Sequence, residues 1–211
     1  MIIYPYQKGC QNRQKPQNLF TKQCVGGESR VKLDMILYRS LEADEICREL
    51  FKNFVRHQVV TKCWRRENGE WTIKDAPFID DWTETDYQFL VSCLKNTITT
   101  GGFVNAAFYN DSLKGFVSVE PDFFGGEEKY LDLSSIHVSE DMRGTGIGTA
   151  LFLSAKDWAR KKGANKLYIS AHSAVESQAF YRRMGCVEAK RYHQEHVERE
   201  PYDCQLECRL W

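Results

Sequence analysis

The sequence predicts an α/β domain with a mixed central sheet of about six to seven strands flanked by helices. Three observations lead there. Short β-branched runs alternate with amphipathic helical patterns through the second half of the chain. Turn signals at Asn68-Gly69 and Asn110-Asp111-Ser112 separate strand-like segments and mark hairpins. A strand, a glycine turn, a helix and a further strand follow one another from Leu131 to Ser170, which implies a parallel crossover. At 211 residues the chain suits one domain with a sizeable core.

The elements follow in order. Residues 1–34 are rich in Gln, Asn, Lys and Gly, carry six basic against two acidic residues, and show no period. They read as a poorly ordered extension, so that the folded domain spans 35–211. Met35 to Arg39 is an opening strand. From Leu41, the residues Ile46, Leu50, Phe51, Phe54 and Val55 recur at three- and four-residue steps and predict a helix. Trp64 to Lys74 is a hairpin about Asn68-Gly69. Thr83 to Thr97 is a second helix, with Tyr87, Leu90, Val91 and Leu94 on one face and Thr83 or Thr85 as cap. Phe103 to Tyr109 and Lys114 to Glu120 form the next hairpin. Leu131 to Val138 is one strand. The helix after it runs from about Gly146 to Lys162-Gly163, ending on cations that suit its dipole. Lys166 to Ser170 is a strand, 175–184 a helix, and Val187 to Tyr192 and Tyr202 to Leu210 two closing strands.

Composition narrows the function. Acidic and basic residues balance at 29 each, so net charge offers nothing to nucleic acid or an anionic membrane. No apolar run approaches the roughly 18 residues that span a bilayer, and the start lacks the apolar region of a secretory signal. The eight cysteines are scattered without a Cys-x-x-Cys pair. Cys204 and Cys208 share a strand face near His193 and His196, but reduced thiols in a cytoplasmic protein are the expectation, with no metal.

The centre of the chain is Arg143-Gly144-Thr145-Gly146-Ile147-Gly148. Glycines bring backbone close to an anion, and the helix that follows offers free N–H groups and the positive end of its dipole. A pyrophosphate is the expected ligand. The spacing departs from the dinucleotide fingerprint, and Thr149-Ala150 departs from a Walker loop.

With its preceding strand and following helix, and with Phe180-Tyr181-Arg182-Arg183-Met184-Gly185-Cys186 downstream, the Arg-x-x-Gly-x-Gly run resembles the GNAT superfamily of acetyl-CoA-dependent N-acetyltransferases. Cys186 stands where that family usually has Phe. The resemblance implies a GNAT-like domain with acetyl-CoA as co-substrate. The cofactor would be held by Ile136, His137 and Val138 on the strand and by Arg143, Gly144, Thr145, Gly146, Ile147, Gly148 and Thr149 on the loop. It also implies direct attack of an amine on the thioester, with a strand carboxylate or histidine taking the amine's proton and a helix tyrosine protonating sulfur. Tyr181 maps onto that acid. Asp132 and Ser134 stand where the base is commonly carried. They share one strand face, and partial burial between Leu131 and Leu133 would make Asp132 the stronger base. Glu120 and His172 are alternatives. The His137 side chain alternates onto the face opposite Ser134 and reads as structural. The family's pantetheine-binding Asn is missing, so Ser173 or Ser177 would substitute.

Phe51 to Trp82 would select the acceptor, and its aromatics and carboxylates suit a cationic amine or a packed surface loop alike. The segment His193 to Pro201 reads as a solvated loop that could overhang the cleft. The expected acceptor is a small-molecule primary amine, with a peptide amine or a non-catalytic acyl-CoA sensor as alternatives. A homodimer is left open.

Overall fold

A computed structural model describes residues 35–211; the expected extension 1–34 lies outside the described residues. Two four-stranded sheets and one ribbon carry the fold. Strands β1 (Leu37–Ser40), β4 (Phe103–Tyr109), β5 (Ser112–Val119) and β7 (Ser135–Val138) form one antiparallel sheet in the order β1-β4-β5-β7. Strands β6 (Tyr130–Asp132), β8 (Lys166–Ala171), β10 (Cys204–Arg209) and β9 (Val187–Glu188) form the other, with β6 parallel to β8. Strands β2 (His57–Glu67) and β3 (Glu70–Asp81) make the ribbon.

β6 and β7 are halves of the segment expected as one strand, and counting them together leaves seven central strands. The division has a simple cause. Along an extended chain successive N–H groups point to opposite sides. The Leu133 N–H bonds Tyr168 on β8, whereas the Ser134 N–H bonds Ser118 on β5. Before this point the chain pairs with one neighbour, after it with the other, and the sheets part between β7 and the second half of β8.

The side-chain alternation also slips there. Leu131 and Leu133 are buried in the main core, and after them Ile136 and Val138 pack against it. One extra residue is therefore accommodated between Leu133 and Ile136, as in a β-bulge. The slip overturns the expected orientation of His137. Ser134 Oγ bonds Ser118, and His137 packs on Phe116, two residues before Ser118 on β5, at 5.4 Å. The two therefore share a face.

Helix α1 (Glu84–Thr99) begins at Thr83, one of the two expected caps, with a full capping box to Asp86. It covers one core, where Tyr87, Leu90 and Leu94 meet Phe116 and Phe108. Helix α2 (Ile147–Lys162) and helix α3 (Val175–Arg183) cover the main core on the other face. The expected helix from Leu41 is absent. Ile46, Phe51 and Phe54 are buried as the pattern requires, but the chain closes i→i−3 turns instead, such as Phe54 N–H to Phe51 and Leu50 N–H to Cys47. Sheet contacts claim its backbone groups: Lys114 Nζ bonds the Asn53 carbonyl, and Ser139 Oγ accepts from the Val55 N–H. The hairpin about Asn68 (φ 52) and Gly69 (φ 87) is present and much longer than expected. A short helix α4 (Gln194–Arg199) replaces the expected loop.

Candidate active site

Built from the backbone upward, the site is the opening between β7 and β8. Among the described residues β7 pairs only with β5, and β6 covers only Lys166 to Tyr168 of β8. Two strand edges therefore face each other unpaired.

The glycine loop closes one end. Gly144 and Gly146 have φ of 78° and 92°, a region that favours glycine. The first α2 bond is from the Ala150 N–H to the Gly146 carbonyl. The N–H groups of Ile147, Gly148 and Thr149 thus precede the helical ladder, and no side chain caps them. Arg143 lies exposed beside this cradle, its Nε 3.4 Å from the Val138 carbonyl, and Thr145 Oγ1 bonds the Met142 carbonyl. The Ile147 side chain is buried in the core, so only its backbone serves the loop. Gly148 fits for a different reason: a Cβ there would stand 3.3 Å from the Phe180 ring and 3.6 Å from Val138, so the ring would have to give slightly. That close packing joins the two sequence motifs.

Tyr181 is placed by a local rule. α3 ends with Gly185 at φ 81°, and the Cys186 N–H returns to the Tyr181 carbonyl. The ring packs on Phe180 at 5.2 Å and Phe152 at 6.4 Å. Burial, with Cys186, Asp203 and Asp132 nearby, pushes the phenol well above its ordinary value. It therefore keeps its proton at neutral pH. Ser177 stands one turn earlier on the same helix face. Ser173 is buried, and its Oγ accepts from Arg65 on β2. Gln178, unremarked in the sequence, is buried and donates to the carbonyls of Ala171 and His172 at the free end of β8.

Asp132 ends β6, just before the strands part. Its Oδ2 lies 2.8 Å from His196 Nε2, and its Oδ1 is sealed from solvent without a partner among the described residues. Asp203, just before β10, bonds Ser170 at 3.4 Å. Burial and Glu200 push its carboxyl up to about 6. Glu120 is engaged by Ser134 at 2.6 Å and Thr97 at 2.8 Å. His172 Nδ1 accepts from the Ala174 N–H, and burial lowers this imidazole. His137 lies 4.7 Å from the Trp82 ring. Burial first, then Arg56 and Arg143, push it down to about 3, so it is neutral at pH 7.

Most of the expected selectivity segment, Phe51 to Trp82, is the β2–β3 ribbon. It docks on the far end of β8 through a Cys63–Ala174 bridge and the Trp64 N–H on the Ser173 carbonyl. The ribbon brings Phe78 to 5.6 Å from His172. Asp80 pairs with Arg56 beside Trp82. No signal in the sequence announced the pairing of His196 with Asp132; the three-residue spacing of His193 and His196 was its only local trace.

A model of the acetyltransferase (GNAT) family matches residues 60–186. No curated protein matches the chain in sequence. Among solved structures, nourseothricin acetyltransferase is similar at 18% identity and a TM-score of 0.63, over 83% of this chain and 99% of that one. A protein assigned as a streptothricin acetyltransferase from Bacillus anthracis, in complex with acetyl coenzyme A, is similar at 17% identity and 0.60, over 82% and 96%. The PaiA N-acetyltransferase of Thermoplasma acidophilum, in complex with coenzyme A, follows at 16% and 0.50, over 83% and 99%.

Proposed function

Because the chain belongs to the acetyltransferase (GNAT) family, we propose that it transfers an acetyl group from acetyl-CoA to the primary amine of a small molecule, by direct attack and without an acyl-enzyme. The observation that carries this reading is the pair of unpaired strand edges opening beside the uncapped start of α2. Backbone groups along the edges suit the amide-bearing pantetheine arm, and the three free N–H groups suit the pyrophosphate. Arg143 adds charge beside them. Ile136 and Val138 line β7, the His137 backbone lies between them, and Ser177 faces the arm from α3. Ser173, held by Arg65, bears on the arm only through its backbone.

Within the site, Tyr181 protonates the departing sulfur, and the base function centres on Asp132 and the group bonded to it. Neighbours named as nourseothricin and streptothricin acetyltransferases support a small-molecule acceptor, and the carboxylates Asp132, Asp203 and Glu120 suit a cationic amine. The described cysteines are all free, which suits a reducing, cytoplasmic setting. Among the described residues no helix is long and apolar enough to cross a membrane.

The test is a panel of primary amines with release of free CoA as the readout. Turnover on small amines supports the reading. Turnover on peptides alone moves the acceptor to a peptide amine, and acetyl-CoA binding without any turnover leaves a sensor. A second expectation concerns the loop. A Cβ at Gly146 meets no atom within 4 Å, so the effect of Gly146→Ala is confined to strain at a φ of 92°. That conformation costs a residue with a Cβ about 1–2 kcal/mol, and relieving it turns the N–H groups off the anion. Calorimetry should show acetyl-CoA binding weakened about tenfold or more, with the fold retained by circular dichroism. Unchanged affinity would place the pyrophosphate elsewhere.

A further inference from the structure

Asp132 is the carboxylate best placed to serve as base, yet one of its oxygens is closed to an amine and the other is already engaged. Oδ2 is bonded to His196 Nε2 at 2.8 Å, and Oδ1 is sealed from solvent. We propose that the amine's proton is taken by the His196 imidazole, with Asp132 as the positioning residue that orients it and balances its charge. This rests on the acetyl-transfer reading above.

Four features support it. With Nε2–H donated to Asp132, the tautomer assigned from this bond leaves the Nδ1 lone pair as the acceptor. That nitrogen is not among the sealed atoms, and 22% of the side chain is exposed. The ring stacks, offset and tilted by 30°, on Tyr168 at 5.8 Å and meets His193 edge-on at 5.0 Å, which restricts its orientation. Asp132 also lies near enough to the acid for its charge to help raise the Tyr181 phenol, after burial. A base oriented by a carboxylate is the arrangement that nucleophile activation requires elsewhere.

The charged and titratable groups facing His196 are Asp132 from β6, Tyr168 from β8, His193 from the preceding turn, Glu195 and Arg199 on α4 itself, and Asp203 from the turn before β10, with Glu200 in turn acting on Asp203. The Asp132 bond raises the imidazole's pKa, against the opposing effects of burial and Arg199.

The protons balance. The ammonium of the acceptor gives one to Nδ1, and the free amine forms a C–N bond to the thioester carbon. As the C–S bond breaks, Tyr181 protonates sulfur. The nitrogen's second proton restores the phenol, and His196 returns its proton to solvent. The products are the amide, free CoA and one proton.

The pH dependence of kcat/KM separates the two roles. His196→Ala should lower kcat by about 10²–10⁴-fold with acetyl-CoA affinity unchanged, lose the acidic limb, and regain part of its rate with added imidazole. His196→Gln serves if the alanine variant fails to fold. Asp132→Asn should keep the acidic limb but move it to lower pH, because the main cause of the raised imidazole is gone. Loss of the limb in Asp132→Asn with its retention in His196→Ala overturns the proposal. NMR titration of the His196 ring judges the pair without turnover: a pKa that fails to fall in Asp132→Asn overturns it, even if no amine on the panel is acetylated. That last result would count separately against the acetyl-transfer reading.

Discussion

Tyr181→Phe lowers kcat by about 10²–10⁴-fold, the usual loss when a general acid is removed, while acetyl-CoA affinity and stability stay close to those of the parent. The structure isolates the hydroxyl cleanly. The ring is buried between Phe152, Phe180 and the sheet, and phenylalanine keeps all of that packing. The hydroxyl has no hydrogen-bond partner among the described residues, so its removal strands no other polar group. Because burial holds the phenol above its ordinary range, the proton is present throughout neutral pH, and the deficit should not vary there. Steady-state turnover beside calorimetric titration with acetyl-CoA reads both quantities. A variant with near-full kcat makes Tyr181 a packing residue and leaves the thiolate to depart through water.

Lys166→Met should cost about 3–5 kcal/mol of stability, the range for removing one partner of a buried ion pair. Lys166 and Glu207 have 8% and 1% of their side chains exposed and lie 3.1 Å apart across β8 and β10. Glu207 is also held by the Tyr130 hydroxyl at 2.5 Å and the Lys190 N–H at 3.1 Å, and Lys166 reaches Glu128 as well. Burial raises Glu207, but these bonds outweigh it and hold the carboxyl below its ordinary value. The sign follows from the linkage rule. Its contribution is present above the unfolded carboxylate range and is lost as pH falls through the depressed folded value. Methionine keeps the length of the lysine stem, so the loss reports charge rather than a cavity. Thermal unfolding should fall by about 2–4 °C for each kcal/mol. A Lys166→Met/Glu207→Met pair should recover much of the loss. An unchanged midpoint in the single variant would show that Tyr130 and Lys190 suffice for Glu207.

The sequence by itself determined those features whose physics is local. Thr83, one of the two caps its sequence offered, starts α1 because a capping side chain reaches only a few residues. Asn68-Gly69 and Asn110-Asp111 turn the chain because these residues tolerate positive φ. Arg143 to Gly148 sits at the start of α2 because glycines and an uncapped helix end adjoin in the chain itself. Gly185 closes α3 and so fixes Tyr181 within it. The core membership of Ile46, Phe51 and Phe54 was legible too, since i→i−3 turns and an α-helix present apolar residues at nearly the same spacing.

Tertiary structure alone decided the rest. The run 130–138 reads as one strand, but which neighbour each half pairs with depends on β5 and β8. Their competing carbonyls at Ser118 and Tyr168 split the segment, open the cleft and turn His137 onto the face of Ser134. The first predicted helix yielded to sheet contacts from Lys114 and Ser139, residues far along the chain. His196 and Asp132 are 64 residues apart. The pair is decided by where α4 comes to rest on β6, because a hydrogen bond between distant residues leaves no period, cap or turn in either local sequence.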